Sequence, residues 1–94
     1  MRPYSMNELA AFAAVARERS FTKAAAQMGV SPSALSQTIR QLEEALGVRL
    51  LMRTTRSVST TEAGQRLVDD TRASFEQIEH SFAQVRDLAD VPSG

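Results

Sequence analysis

Leu9, Phe12, Ala13 and Ala16 recur at i, i+3, i+4 and i+7. That spacing predicts one apolar stripe on a helix over about residues 8–19, with Asn7 as its cap. Ser20 offers a second cap. Phe21, Ala24, Ala25 and Met28 then form the inward face of a short helix that stops at Gly29, a residue suited to a left-handed C-terminal position. Val30 bridges to Ser31 and Pro32, where the serine caps and the proline occupies the first helical position without losing a hydrogen bond. The third helix runs over about residues 32–46 to Gly47, with Leu35, Ile39, Leu42 and Leu46 facing inward.

The opposite face of that third helix carries Ser33, Ser36, Gln37 and Arg40. Two helices joined by a tight Gly-containing turn, the second with small polar groups on its exposed first turns, form a helix-turn-helix arrangement. A plain three-helix bundle has the same apolar pattern. It would normally cover its solvated face with Glu and Lys, whereas Ser, Gln and Arg can approach a base edge closely or bond to it in pairs.

After Gly47, residues 48–53 (VRLLMR) and 57–60 (SVST) flank a polar tip and read as a β-hairpin. An isolated hairpin is marginal in water, so Leu50, Leu51 and Val58 must lean on the helical core, making the hairpin a wing with Arg53 and Arg56 near its tip. Met52 is expected to pack in the wing. Thr61 can cap a last helix over residues 62–89, about 42 Å long at 1.5 Å per residue. Phe75, Ile78, Phe82, Val85 and Ala89 alternate spacings of three and four along it, a heptad seam that asks for a helix from a second chain. Docking back onto the bundle, through Leu67 and Val68, could cover only its first turns. Residues 91–94 break the helix and read as the start of an interdomain linker, and Tyr4 belongs to a short N-terminal arm.

With 94 residues, 43% of them hydrophobic and 23% charged, the chain has room for one small domain, in which any extra element needs a partner. There is no cysteine, which excludes disulfides, thiolate zinc sites and thiol catalysis by inventory. No apolar run approaches the length of a membrane span. Residues 9–16 (LAAFAAVA) mimic the apolar part of a signal peptide, but their helical spacing and the flanking Glu8 favour a cytoplasmic address.

Catalysis finds no foothold. His80 is the only histidine, and with Glu76 it could make two metal ligands at most, where catalytic zinc takes three. The serines lack a neighbouring base, and the glycines at 29, 47, 64 and 94 make no phosphate loop, so neither an enzyme nor a cofactor is expected.

The segment over residues 20–64, SFTKAAAQMGVSPSALSQTIRQLEEALGVRLLMRTTRSVSTTEAG, resembles the N-terminal DNA-binding domain of LysR-type transcriptional regulators. The resemblance covers nearly the whole chain and is specific in the order of S-F-T-x-A-A, S-P-S-A-L-S, I-R-x-L-E, G-V-R-L-L-x-R-T-T-R and T-E-A-G. It implies a mainly α fold: a winged helix-turn-helix over residues 1–61, made of three helices and a two-stranded β wing, then a linker helix over 62–90 that pairs antiparallel in a homodimer. It further implies that Pro32, Ser33, Ser36, Gln37 and Arg40 face the major groove. Ser20, Thr22 and Ser31 would meet phosphates, and Arg53 and Arg56 the backbone or minor groove. The implied partner is double-stranded DNA with a dyad-symmetric operator. Full-length members continue into an effector-binding domain, which this chain does not include. Gln37 stands where Arg or Lys is common in the family, which shifts readout towards adenine. Thr60 stands where Leu is common. A helical dimerisation or adaptor module without DNA is the alternative; the Ser/Gln/Arg face and the wing arginines weigh against it.

The net charge is zero, with eleven Lys and Arg against eleven Asp and Glu. That is an average over unlike parts: residues 1–56 hold eight basic and four acidic side chains, and residues 57–94 hold three and seven. The excess of +4 lies in the head expected to meet phosphate and the −4 in the helix expected to meet its twin, which points to moderate non-specific affinity for DNA.

Overall fold

Four helices and one hairpin follow one another along the chain. In the computed structural model, which describes residues 5–90, they are α1 (Met6–Glu18), α2 (Phe21–Met28), α3 (Pro32–Leu46), β1 (Leu51–Arg53), β2 (Val58–Thr60) and α4 (Glu62–Asp90). Tyr4 and residues 91–94, read above as an arm and a linker, lie outside the described residues.

Ser5 caps α1, two residues before the expected Asn7. Its Oγ accepts the Glu8 N–H at 3.1 Å and donates to Glu8 Oε1 at 3.3 Å. Ser5 has a glutamate three residues on and Asn7 has not, and that S-x-x-E spacing decides the start. Arg19, with φ at 53°, closes the helix by donating its N–H to the Val15 carbonyl at 2.8 Å. The buried face is Ala11, Phe12, Ala14 and Val15 with Glu8, so only Phe12 of the expected stripe is fully buried, and Leu9, Ala13 and Ala16 are half-buried. Residues 9–16 are apolar on every side, so helical spacing admits more than one phase. Packing against α2 and α3 selects the phase that contains Val15.

In α2 the Ser20 cap and the left-handed Gly29 stand where the sequence puts them, with Ala24 and Ala25 fully buried. Phe21 is half-buried, and Met28 is exposed rather than part of the core, because the helix ends there beside an open groove. Two alanines facing inward let α1 and α3 approach closely. The third helix has its expected Ser31 cap, Pro32 start and Gly47 stop, and buries Leu35, Ile39, Leu42 and also Glu43, while Leu46 at its end is partly exposed.

The wing strands pair antiparallel, Leu51 with Thr60, Met52 with Ser59 and Arg53 with Val58. Leu50 and Leu51 are buried and Val58 half-buried against the helices. Met52 is 54% exposed instead of packed in the wing. Alternation along β1 turns Leu51 and Arg53 to the helical side and Met52 away from it. Thr60 ties the second strand to α4 by donating its Oγ1 to Gln65 Oε1 at 2.8 Å.

Thr61 joins wing to last helix: its Oγ1 accepts the Gly64 N–H at 3.0 Å and donates to the Arg49 carbonyl at 2.7 Å. The early part of α4 packs through Ala63, Leu67 and Val68. Beyond it Phe75 is half-buried and the large apolar residues Ile78, Phe82, Val85 and Leu88 are exposed, so α4 projects and gives the molecule extents of 56 × 26 × 22 Å.

Candidate nucleic-acid interface

Pro32, Ser33, Gln37 and Arg40 are exposed on α3, with Ser36 half-buried beside them. Ser33, Gln37 and Arg40 follow a three-to-four spacing, so they share one face of the first half of the helix. Ser31 and Ser20 spend their hydroxyl oxygens on their own helices, accepting from Ala34 N at 3.1 Å and Lys23 N at 3.2 Å. Those bonds use the third N–H of each first turn and Pro32 has none, so Ser33 in α3 and Phe21 and Thr22 in α2 supply the first-turn N–H groups that α-helical bonding leaves open. Thr22 is exposed in the first turn of α2.

The wing arginines differ from each other. Arg56 is exposed in the turn between the strands, which is held by Thr54 N–H donating to the Ser57 carbonyl at 2.9 Å. Arg53 lies back on the helices. Its Cζ stands 4.1 Å from the centre of the Phe21 ring, and its Nη1 donates to Ser36 Oγ at 2.8 Å. Desolvation by burial pulls the Arg53 guanidinium below its usual value; Glu43 opposes that shift, and Arg40 and Arg49 add to it. Its side chain stays protonated at any physiological pH.

Sequence reasoning missed three elements of this surface. The Phe21–Arg53 stack joins residues far apart in the chain, although strand alternation from Leu51 signals on which side Arg53 falls. Glu43, one of the four acidic side chains of residues 1–56, is buried because it stands next to Leu42 on the inward face of α3. Gln27 accepts from Arg17 Nη2 at 3.1 Å and donates to Glu18 Oε2 at 3.0 Å, tying α2 to α1, and no local pattern announces it.

The expected seam residues lie along α4, with Ile78, Phe82, Val85 and Ala89 exposed and Phe75 half-buried. Phe82 is 68% exposed, and Leu88, which the seam reading passed over in favour of Ala89, is 72% exposed. Between α4 and the outer face of α1 lies an open groove of about 730 Å³ whose apolar lining includes Ala13, Met28, Val68 and Phe75. His80 and Glu76 are both exposed. Among the described residues there is no group of three metal-ligating side chains, and no helix is long and apolar enough to cross a membrane.

Residues 6–65 match the family model described as bacterial regulatory helix-turn-helix protein, lysR family. The chain belongs to the LysR family. It is 48% identical over 94 residues to the HTH-type transcriptional regulator PgrR of Escherichia coli K12, an alignment that covers 100% of this chain and 31% of PgrR. Among solved structures it resembles the DNA-binding domain of BenM in complex with catB site 1 DNA, with a TM-score of 0.79 and 31% identity over 96% of this chain and 100% of that one. It also resembles Vibrio fischeri DarR in complex with DNA, with a TM-score of 0.75 and 27% identity over 98% of this chain and 32% of that one. The chain thus spans about three tenths of the length of the curated LysR-family relatives it matches. The winged helix-turn-helix and projecting helix read from the sequence are the LysR-family architecture seen in these structures.

Proposed function

We propose that this chain binds double-stranded DNA sequence-specifically as the homodimeric head of a transcription regulator. The observation that carries the reading is the exposed Ser33, Gln37 and Arg40 face of α3, flanked by a wing, in a chain of the LysR family. Helix 32–46 enters the major groove, where Pro32, Ser33, Ser36, Gln37 and Arg40 meet base edges. Ser20, Thr22 and Ser31 lie near phosphates at two helix N-termini, and Arg53 and Arg56 bring positive charge to the backbone or minor groove. Residues 1–61 act as the DNA-binding unit and 62–90 as the dimerisation helix. Its exposed apolar side chains support an antiparallel pairing with a second copy through Phe75, Ile78, Phe82, Val85 and Ala89, to which we add Leu88.

Two-fold symmetry in the protein calls for a dyad-symmetric operator, and the place of action is the cytoplasm, on the nucleoid. We assign the chain no catalytic step. A selection from random duplexes, followed by footprinting and sedimentation of the complex, tests the reading: recovery of a palindrome bound by two copies is expected. A chain that retains no genomic fragment at low salt acts instead as a dimerisation or adaptor module.

A further inference from the structure

Phe21, Ser36 and Arg53 come from α2, α3 and β1, and they meet at one point. The Arg53 guanidinium is fixed twice, by the Phe21 ring 4.1 Å from Cζ and by the Ser36 oxygen 2.8 Å from Nη1. Stacking on an aromatic face together with an aimed N–H is a geometry that arginine supplies and lysine does not. A serine hydroxyl has one O–H to donate and two lone pairs to accept with. Here a cationic donor takes one lone pair. That bond polarises the O–H, strengthening it as a donor, and the adjacent positive charge opposes the approach of another donor group to the oxygen.

Resting on the reading that α3 enters the major groove, we propose that Arg53 is a positioning residue for sequence readout: it fixes Ser36 as a hydrogen-bond donor towards a base acceptor. The bases that offer acceptors there are guanine and adenine through N7, guanine through O6 and thymine through O4, whereas cytosine offers its N4 amino group. Ser36 therefore favours guanine, adenine or thymine at the base it faces and disfavours cytosine. Arginine has five N–H donors, so the positioning of Ser36 leaves others for a phosphate, and the two roles separate by substitution.

The test is a selection from randomised duplexes with the 94-residue chain and its Ser36→Ala, Arg53→Lys and double variants, each checked for folding by thermal denaturation and titrated at several salt concentrations. The native chain is expected to reject cytosine at one position of each half-site. Ser36→Ala removes that preference. Arg53→Lys reduces the same preference by about tenfold while keeping its charge and hence the salt slope. The double variant discriminates no worse than Ser36→Ala alone. Phe21→Leu, which removes the ring and keeps an apolar side chain, gives a position-specific loss of the same kind and serves if Arg53→Lys does not fold. An unchanged preference in Arg53→Lys and Phe21→Leu, additive losses in the double variant, or cytosine as the preferred base overturns the proposal. If the native chain enriches no duplex at all, the DNA-binding reading fails and this proposal falls with it. A native chain that selects DNA while its variants do not couple overturns the positioning role alone.

Discussion

The carboxylate of Glu43, buried near the end of α3, accepts the backbone N–H of Leu50 at 2.7 Å and that of Leu51 at 3.2 Å. Two backbone donors at the entry to the wing have no strand partner on that side, and one oxygen of one side chain satisfies both. Charge-assisted bonds of this kind are roughly twice as strong as neutral ones. The exposed Arg49, whose Nε lies 3.5 Å from the same oxygen, adds little, since solvent screens such a pair. Glu43→Ala strands two buried N–H groups and is expected to cost about 2–4 kcal/mol in urea unfolding, whereas Glu43→Gln keeps an acceptor and costs about 1–2 kcal/mol. Equal and negligible losses would remove Glu43 from the wing's support.

Gly64 sits in the first turn of α4 directly against the Leu50 backbone, and a Cβ there would run into the Leu50 carbonyl oxygen. Helix propensity favours alanine over glycine by about 1 kcal/mol, so propensity alone makes Gly64→Ala stabilising. Steric overlap with backbone, which has no rotamer to yield, reverses the sign. Gly64→Ala is expected to destabilise the chain by about 1–3 kcal/mol and to lower its thermal midpoint. Ala73→Gly, at an exposed position further along the same helix, serves as the propensity control.

These two contacts mark where local reasoning stops. Short polar and glycine signals made four helix boundaries legible: the Ser20 and Ser31 caps and the left-handed Gly29 and Gly47. Asn7 failed as a cap because Ser5 has the better-placed glutamate. Met28 reads as core and Met52 as wing packing by their hydropathy, and both are exposed, one by its place at a helix end and the other by strand alternation. The Glu43, Gly64 and Arg53 contacts all cross between elements: spacing within a segment gives the side on which Glu43 and Arg53 fall and not what they touch. In the candidate interface the exposed face of α3 was legible, because a helix stripe fixes its opposite face as well. What Arg53 touches was not.

The contacts proposed for Gln37 and Arg56 would separate two ways of meeting DNA. Gln37 is exposed on the face of α3, and a bidentate pair with a base edge is worth about 1–3 kcal/mol of discrimination. Gln37→Ala is therefore expected to relax preference at one base position while leaving affinity for random duplex nearly unchanged. Arg56 stands at the exposed turn of the wing, where a phosphate contact acts through counterion release. Arg56→Ala should weaken binding to all sequences alike and reduce the slope of log affinity against log salt by about one. Anisotropy titrations on specific and random duplexes at several salt concentrations check both. A uniform loss for Gln37→Ala moves that side chain to the positioning class.

Phe82 decides whether α4 is an interface. A helix that leaves Phe82, Val85 and Leu88 more than half exposed within one chain carries an apolar strip that water disfavours. Burial of such side chains stabilises by about 1.5–3 kcal/mol each, enough in aggregate to hold two copies together at working concentrations. Phe82→Glu places a charge on that strip without touching the core around Phe12 and Ile39, so the head should keep its helical signal and unfold normally. Sedimentation is expected to show the native chain as a dimer and Phe82→Glu as a monomer. The variant should also lose binding to a two-half-site duplex far more than binding to a single half-site, because the second half-site contributes only when both heads are joined. A Phe82→Glu chain that remains dimeric would assign the pairing to another surface.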